Sequence, residues 1–288
     1  MKGIVLAGGS GSRLWPLTTV VSKQLLPIYD KPMIYYPIST LMLAGVRDFL
    51  LITNEKDQSL FKDLLGDGSS LGVKFNYVVQ KFPEGLAQGI SLAEEFLSGD
   101  PFWLILGDNI FHGVGLGSQL RDLIPSFGAQ IFTYEVSDPS QYGVLNVDLI
   151  GTPISIVEKP SRADSNLAIT GLYYFDNYAV DISKTISRSE RGEFEITSVI
   201  QEYLNQNSLH VHHLSRGTAW LDTGSVELMQ DASMYVRVIE ERSGLKIGCL
   251  EEISLGNGWI SLQELGKLCE GKPKNYYWKY VEKLVQQK

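Results

Sequence analysis

The stretch LAGGSGSRLWPLT, Leu6 to Thr18, follows an apolar run and holds three glycines and one arginine. Gly8, Gly9 and Gly11 lack Cβ atoms, so backbone N–H groups there can close around phosphate oxygens. Arg13 adds a permanently charged donor fork. The spacing is not that of a P-loop, because no Gly-Lys pair follows Gly8 at the required distance. Nor is it the dinucleotide fingerprint: Leu14 stands where G-x-G-x-x-G needs its third glycine, which disfavours a dehydrogenase. Taken alone, the loop is equally well a plain strand-to-helix turn with a surface arginine. One carboxylate, Asp108, closes the run FWLILGD, and another, Asp222, sits in AWLDTG. Asp108 would lie at the carboxyl end of a strand, where α/β sheets hold ligands.

Positioning such groups requires a sheet. Gly3 to Ala7 form a short buried strand stopped by Gly8 and Gly9. Pro32 opens a helix through Leu43, ended by Gly45, with Ile34, Ile38, Leu41 and Met42 on one face and a kink at Pro37. DFLLIT, KFNYVVQ and FWLILGD read as strands, and DQSLFKDLLGDG and GLAQGISLAEEFL as the helices between them. Strands alternating with helices predict a parallel sheet covered on both faces. After Leu120, AQIFTYEV, YGVLNVD, PISIVEK and NLAITGLYYFD read as added antiparallel strands. FEITSVIQEYLNQ is a helix, and SLHVHHL, a strand, carries His210, His212 and His213. From Ser225 the chain is mostly helical, through the amphipathic VELMQDASMYVRVIEER to the closing YYWKYVEKLVQQ. The expected fold class is α/β, a Rossmann-like mixed and mostly parallel sheet flanked by helices, with a helical C-terminal extension. The boundaries are 1–224 for the core and 225–288 for the extension.

Composition narrows the function. The 288 residues are 44% apolar and 20% charged, enough for a full core. A net charge of -8 repels polyanions, so no nucleic acid partner is expected. No signal peptide and no membrane span is read, which points to the cytoplasm. Cys249 and Cys269 have no metal spacing and read as buried free thiols, and no H-E-x-x-H or other zinc pattern occurs.

Followed by SKQLLPIYDKPMIYYPI, the glycine loop resembles the signature of the sugar-nucleotide pyrophosphorylases. These nucleotidyltransferases join a nucleoside triphosphate to a sugar 1-phosphate. LMLAG, LLGDGS, GLAQ, LGDNIF, YGV, EKP, TGLYYFD, RGEFEIT and AWLDTG occur in the order that family shows, and KIGCLEEI extends the likeness into the tail. The branch most similar is that of the glucose-1-phosphate thymidylyltransferases. The resemblance implies that dTTP and α-D-glucose 1-phosphate give dTDP-glucose and pyrophosphate, as in deoxysugar or rhamnose pathways. The nucleophile is an already ionised phosphate, so no general base is needed and catalysis must come from positioning and charge.

The same resemblance distributes roles. It places Mg²⁺ at Asp108 and Asp222, Arg13 and Lys23 on the triphosphate, and Lys159 on the sugar phosphate. The nucleotide is expected against Leu6, Gly8, Gly9, Ser10, Gly11, Ser12, Gln24, Gln80, Pro83, Gly85 and Asp108. Gln24 and Gln80 can each offer a donor and an acceptor to a pyrimidine edge. The sugar is expected against Asn109, Gly143, Glu158, Lys159, Thr170, Gly171 and Tyr173, with Trp220 assigned to the core. Trp15, Val157 and Phe82-Pro83-Glu84 depart from the residues common in close relatives. The resemblance also implies a homo-oligomer, tetramer or dimer, with a second nucleotide site at subunit contacts. Near Gly117 and Ser118 the polar side chains of that site are missing, so feedback by a dTDP-sugar is expected to be weak. A uridylyltransferase, an enzyme for another hexose 1-phosphate and a silent sugar-nucleotide-binding regulator remain the alternatives.

Overall fold

The structure is a computed structural model and describes residues 1–9 and 11–286. Its first half runs β1 (Lys2–Ala7), the two-residue strands β2 (Pro27–Ile28) and β3 (Lys31–Pro32), α1 (Tyr35–Leu43), β4 (Asp48–Thr53), α2 (Gln58–Leu65), β5 (Lys74–Val79), α3 (Leu86–Leu92), α4 (Glu94–Leu97), β6 (Phe102–Leu106) and β7 (Asn109–His112). It continues with α5 (Leu116–Asp122), β8 (Ala129–Glu135), β9 (Gly143–Val147), β10 (Pro153–Glu158), β11 (Leu167–Phe175), α6 (Tyr178–Thr185), α7 (Ile196–Asn205), β12 (Leu209–His213) and β13 (Ala219–Asp222). Four helices close the described chain: α8 (Val226–Ser243), α9 (Leu250–Gly256), α10 (Leu262–Cys269) and α11 (Tyr276–Gln286).

The main sheet has the order β10-β9-β11-β6-β1-β4-β5, with β8 paired to β11 and β12 paired to β8. The block β6-β1-β4-β5 is parallel, and β11 joins it to a second half that is antiparallel except for the parallel β12–β8 pair. Strand alternation divides the core in two. Val5, Leu51, Trp103 and Ile105 face one side, against Ile34, Ile38, Leu41 and Met42 of the α1 segment. Ile4, Leu50, Leu104 and Phe102 face the other, against Ala87, Ile90, Ala179, Val199 and Ile200 of α3, α6 and α7. Burial on both sides is why these strands read as unbroken apolar runs.

Several local expectations change. Pro32 ends β3 rather than opening α1, which starts at Tyr35. Pro37 is therefore in the first turn, where proline removes no helical hydrogen bond, so the expected kink loses its cause. The helix read over GLAQGISLAEEFL divides at Ala93 into α3 and α4. Cys249 is buried, but Cys269 is only partly so.

The C-terminal helices share a core with the front of the molecule. Ala232 and Val236 of α8 pack with Ile28, Met33, Tyr36 and Ile110. Beside them lies a buried ion network: Lys31 meets Asp30 and Glu240, and Lys246 meets the same two carboxylates. It ties α8 to the β2–β3 turn. That turn also carries the chain past Lys23 and Gln24, since the N–H of Ile34 returns to the Gln24 carbonyl at 2.9 Å.

Candidate active site

The glycine loop leaves the carboxyl end of β1, between β6 and β4 of the parallel block. Gly8 is a close approach: a Cβ there would lie 2.6 Å from Gln80 Oε1 and would push that amide aside. Gly11, at φ 61°, is left-handed, and its carbonyl accepts the Thr18 hydroxyl at 2.8 Å, closing the loop. A cavity opens beside it, lined by Leu6, Gly8, Gly9, Gln24, Gln80, Pro83, Gly85 and Asp108. These are residues expected at the nucleotide. Leu86, Leu106 and Glu193 complete the wall and had no signal in the sequence. Gly11 and Ser12 flank the cavity without lining it, and Ser10 lies outside the described residues.

A second cavity adjoins the first, sharing Leu86, Leu106 and Asp108. Asn109, Gly143, Glu158, Lys159, Gly171 and Tyr173 line it, together with Arg13, Trp220 and Asp222. Thr170 does not: it is fully buried in β11, and neighbouring strand residues face opposite sides. Arg13, expected at the triphosphate, lines this second cavity beside Asp222.

The two carboxylates meet because β7 and β13 pair antiparallel, with Asp222 opposite Asn109. Thr223 fixes the junction, donating to the Asp108 carbonyl from its N–H at 3.2 Å and its hydroxyl at 2.7 Å. Lys23 is buried and pairs with the Asp108 carboxylate. Burial pushes the Asp108 carboxyl up, but the Lys23 ammonium and the hydrogen bonds from Lys23 and Asn109 outweigh it and hold the group below the usual carboxylate range. Asp222 goes the other way. Burial first, then the Asp108 charge, push it up to about 6 against the pull of Lys23 and Arg13. Gly224 keeps this corner open: a Cβ there would lie 2.9 Å from Asp222 Oδ2 and 3.0 Å from Arg13 Nη2.

Asn109 organises the wall. Its Oδ1 accepts Trp220 Nε1–H at 2.7 Å and the Gly171 N–H at 3.2 Å, and its Nδ2 donates to Asp108 Oδ1 at 2.9 Å. Trp220, expected in the core, is buried yet also lines the cavity. On the far wall Glu158 is held by Thr197 Oγ1 at 3.1 Å, Arg191 Nη1 at 3.4 Å and Lys159 Nζ at 3.7 Å. Lys159 has a left-handed φ of 41°, held by its N–H bond to the Tyr142 carbonyl at 3.0 Å. Arg191 and Thr197 were not singled out from RGEFEIT, since nothing in the string shows that Glu158 is their partner.

Among the described residues no group of three or more His, Cys, Asp or Glu side chains could hold a metal alone. A hard cation at Asp108 and Asp222 would draw its other oxygens from bound phosphates.

A family model described as nucleotidyl transferase matches residues 2–238. The glucose-1-phosphate thymidylyltransferase of Mycolicibacterium smegmatis is 50% identical over 285 residues, covering 99% of this chain and 99% of the relative. That of Xanthomonas campestris is 49% identical over 286 residues, covering 99% of this chain and 97% of the relative. Among solved structures, a Bacillus anthracis protein described as a glucose-1-phosphate thymidylyltransferase, in complex with sucrose, superposes with a TM-score of 0.76 at 37% identity, covering 82% of this chain and 95% of its own. A UDP-glucose pyrophosphorylase complexed with UDP-glucose gives 0.74 at 25% identity, covering 83% and 98%.

Proposed function

This chain belongs to the nucleotidyl transferase family, and from that premise we propose that it transfers a thymidylyl group from dTTP to α-D-glucose 1-phosphate, giving dTDP-glucose and pyrophosphate. The observation that carries the reading is the junction of the two cavities: Asp108 lines both, between the glycine loop and the Glu158–Lys159 wall. A phosphorus held there would have a nucleotide on one side and a sugar phosphate on the other. The full-length likeness to thymidylyltransferases supports the choice of substrates.

In this reading Gly8, Gly9 and the neighbouring loop amides hold the triphosphate. Arg13 and Lys23 stabilise the charge that builds on the departing pyrophosphate. Lys159 holds the attacking sugar phosphate, whose oxygen is already ionised and needs no base. Glu158, oriented by Thr197 and Arg191, accepts sugar hydroxyls. The residues fit Mg²⁺: two half-buried carboxylates lie close enough that the Asp108 charge adds to desolvation in raising Asp222, and both are hard oxygen donors. When bound, the ion would offset phosphate charge and polarise the reacting phosphoryl group. The same reading takes residues 1–224 as the catalytic core and 225–288 as an extension with subunit contacts in a homo-oligomer. It also places the protein's work in the cytoplasm, consistent with no described helix being long and apolar enough to cross a membrane.

The test is pyrophosphate release across a matrix of nucleoside triphosphates and hexose 1-phosphates, with and without Mg²⁺. The highest kcat/KM is expected for dTTP with glucose 1-phosphate. Preference for UTP or another hexose would redirect the substrate assignment, and no release with any pair would overturn catalysis.

A further inference from the structure

The base-side cavity ends in a relay of amides whose direction is fixed. Gln80, buried on that wall, turns Nε2 inward, donating to Gln88 Oε1 at 2.5 Å and toward the Gly85 carbonyl at 3.5 Å. The Gln88 amide is itself oriented twice. Its Oε1 accepts the Glu84 backbone N–H at 3.2 Å, and its Nε2 donates to Glu84 Oε2 at 2.9 Å. A backbone N–H can only donate and a carboxylate can only accept, so a flipped Gln88 would lose both bonds. A flipped Gln80 would then set its own carbonyl oxygen against that of Gln88. Gln80 Oε1 is accordingly the end that faces Gly8.

Two further contacts keep the relay in place. Arg188 pairs with the Glu84 carboxylate and stacks on the Phe194 ring, 4.4 Å from its centroid. The Phe194 N–H returns to the Glu84 carbonyl at 2.7 Å. On the same cavity wall the Ser22 hydroxyl donates to Gln24 Oε1 at 2.7 Å, which makes Nε2 the donor end of that amide. The wall thus offers an acceptor from Gln80 and a donor from Gln24.

We propose that Gln88, oriented by Glu84, is a specificity-determining positioning residue. It holds the Gln80 carbonyl oxygen toward the base, so the site takes bases with a ring N–H beside a carbonyl, thymine or uracil, and rejects cytosine. Cytosine presents a ring acceptor and an exocyclic donor, the reverse pattern, and would leave buried polar groups unpaired. The inference rests on the nucleotidyl-transfer reading for the kind of ligand only.

Equilibrium titration of the full chain with dTTP and with dCTP tests it without turnover. The unaltered protein should prefer dTTP by about tenfold or more. Gln88→Met removes the acceptor for Gln80 Nε2 and should bring that preference down to near one. The exchange variant Glu84→Gln/Gln88→Glu keeps an acceptor toward Gln80 and should keep the preference. Gln88→Ala repeats the removal if methionine is not accommodated, and thermal melting checks folding throughout. A protein without preference, a Gln88→Met variant that retains it, equal weakening of both nucleotides, or its loss in a folded exchange variant would each overturn the proposal. Preferential dTTP binding with no pyrophosphate release from any sugar 1-phosphate would sink the transfer reading and leave this one standing.

Discussion

Asp108 and Asp222 are alike in sequence and opposite in circumstance. Asp108 is paired with a buried lysine, whereas Asp222 has burial and the Asp108 charge against it, only partly offset by Lys23 and Arg13. Their removal should therefore part company on stability while agreeing on activity. Asp108→Asn leaves the Lys23 ammonium buried without its carboxylate, at a cost of about 2 kcal/mol, and should also lower turnover at least about 100-fold. Asp222→Asn should lower turnover comparably but raise the melting temperature measured without divalent cation, since it removes a charge that burial and the Asp108 carboxylate both disfavour. Equal destabilisation by both, in chemical unfolding at neutral pH, would contradict this account of the charges. Arg13 leans toward Asp222 over Gly224, so its fork geometry matters as well as its charge. Arg13→Lys should still lose about tenfold or more in kcat, with a smaller change in KM for glucose 1-phosphate; full activity would remove Arg13 from the reacting centre. Residue types and strings were enough to nominate these side chains. Their pairing was not legible, because Lys23 and Asp108 belong to separate elements that only the sheet brings together.

At the scale of elements, the long strands and helices with a clear period were readable, and the short ones were not. β7 is four residues long and has no local partner; it exists because β13 returns to pair with it late in the chain. α5 and α6 are also short, at seven and eight residues. β7 has a further consequence through His112, whose Nδ1 meets the Tyr235 hydroxyl of α8 at 2.8 Å. Burial holds the His112 pKa below its usual 6.5. A depressed folded value means that this contribution to stability is complete above about 6.5 and is lost as pH falls through the folded value. Urea unfolding should thus show a stability loss between pH 7.5 and 5.5 that shrinks in His112→Gln, by a few tenths to about 1 kcal/mol. An unchanged pH slope would show that the docking of α8 does not depend on the neutral imidazole.

For the whole molecule, the decisive feature is that the helical extension is not a separate body. α8 fills the core beneath the β2–β3 turn, and Glu240 closes the ion network with Lys31, Asp30 and Lys246. Truncation after residue 224 would expose Ile28, Met33, Tyr36 and Ile110 and strand the Lys31–Asp30 pair. The shortened chain should fail to give a cooperative melt, and Glu240→Ala in the full chain should lose about 3 kcal/mol by chemical unfolding. A stable, active 1–224 fragment would refute the shared core. The sequence by itself determined the alternation of buried strands and helices, the glycine loop, and the residue types that phosphate chemistry requires, because periodicity, turn propensity and charge are local properties. Tertiary packing settled that Arg13 lines the same cavity as Glu158 and Asp222, that Thr170 is turned away from it, and that Asn109 holds Asp108, Gly171 and Trp220 together. Those outcomes depend on register and on pairings between distant strands, where a shift of one residue sends a side chain to the other face.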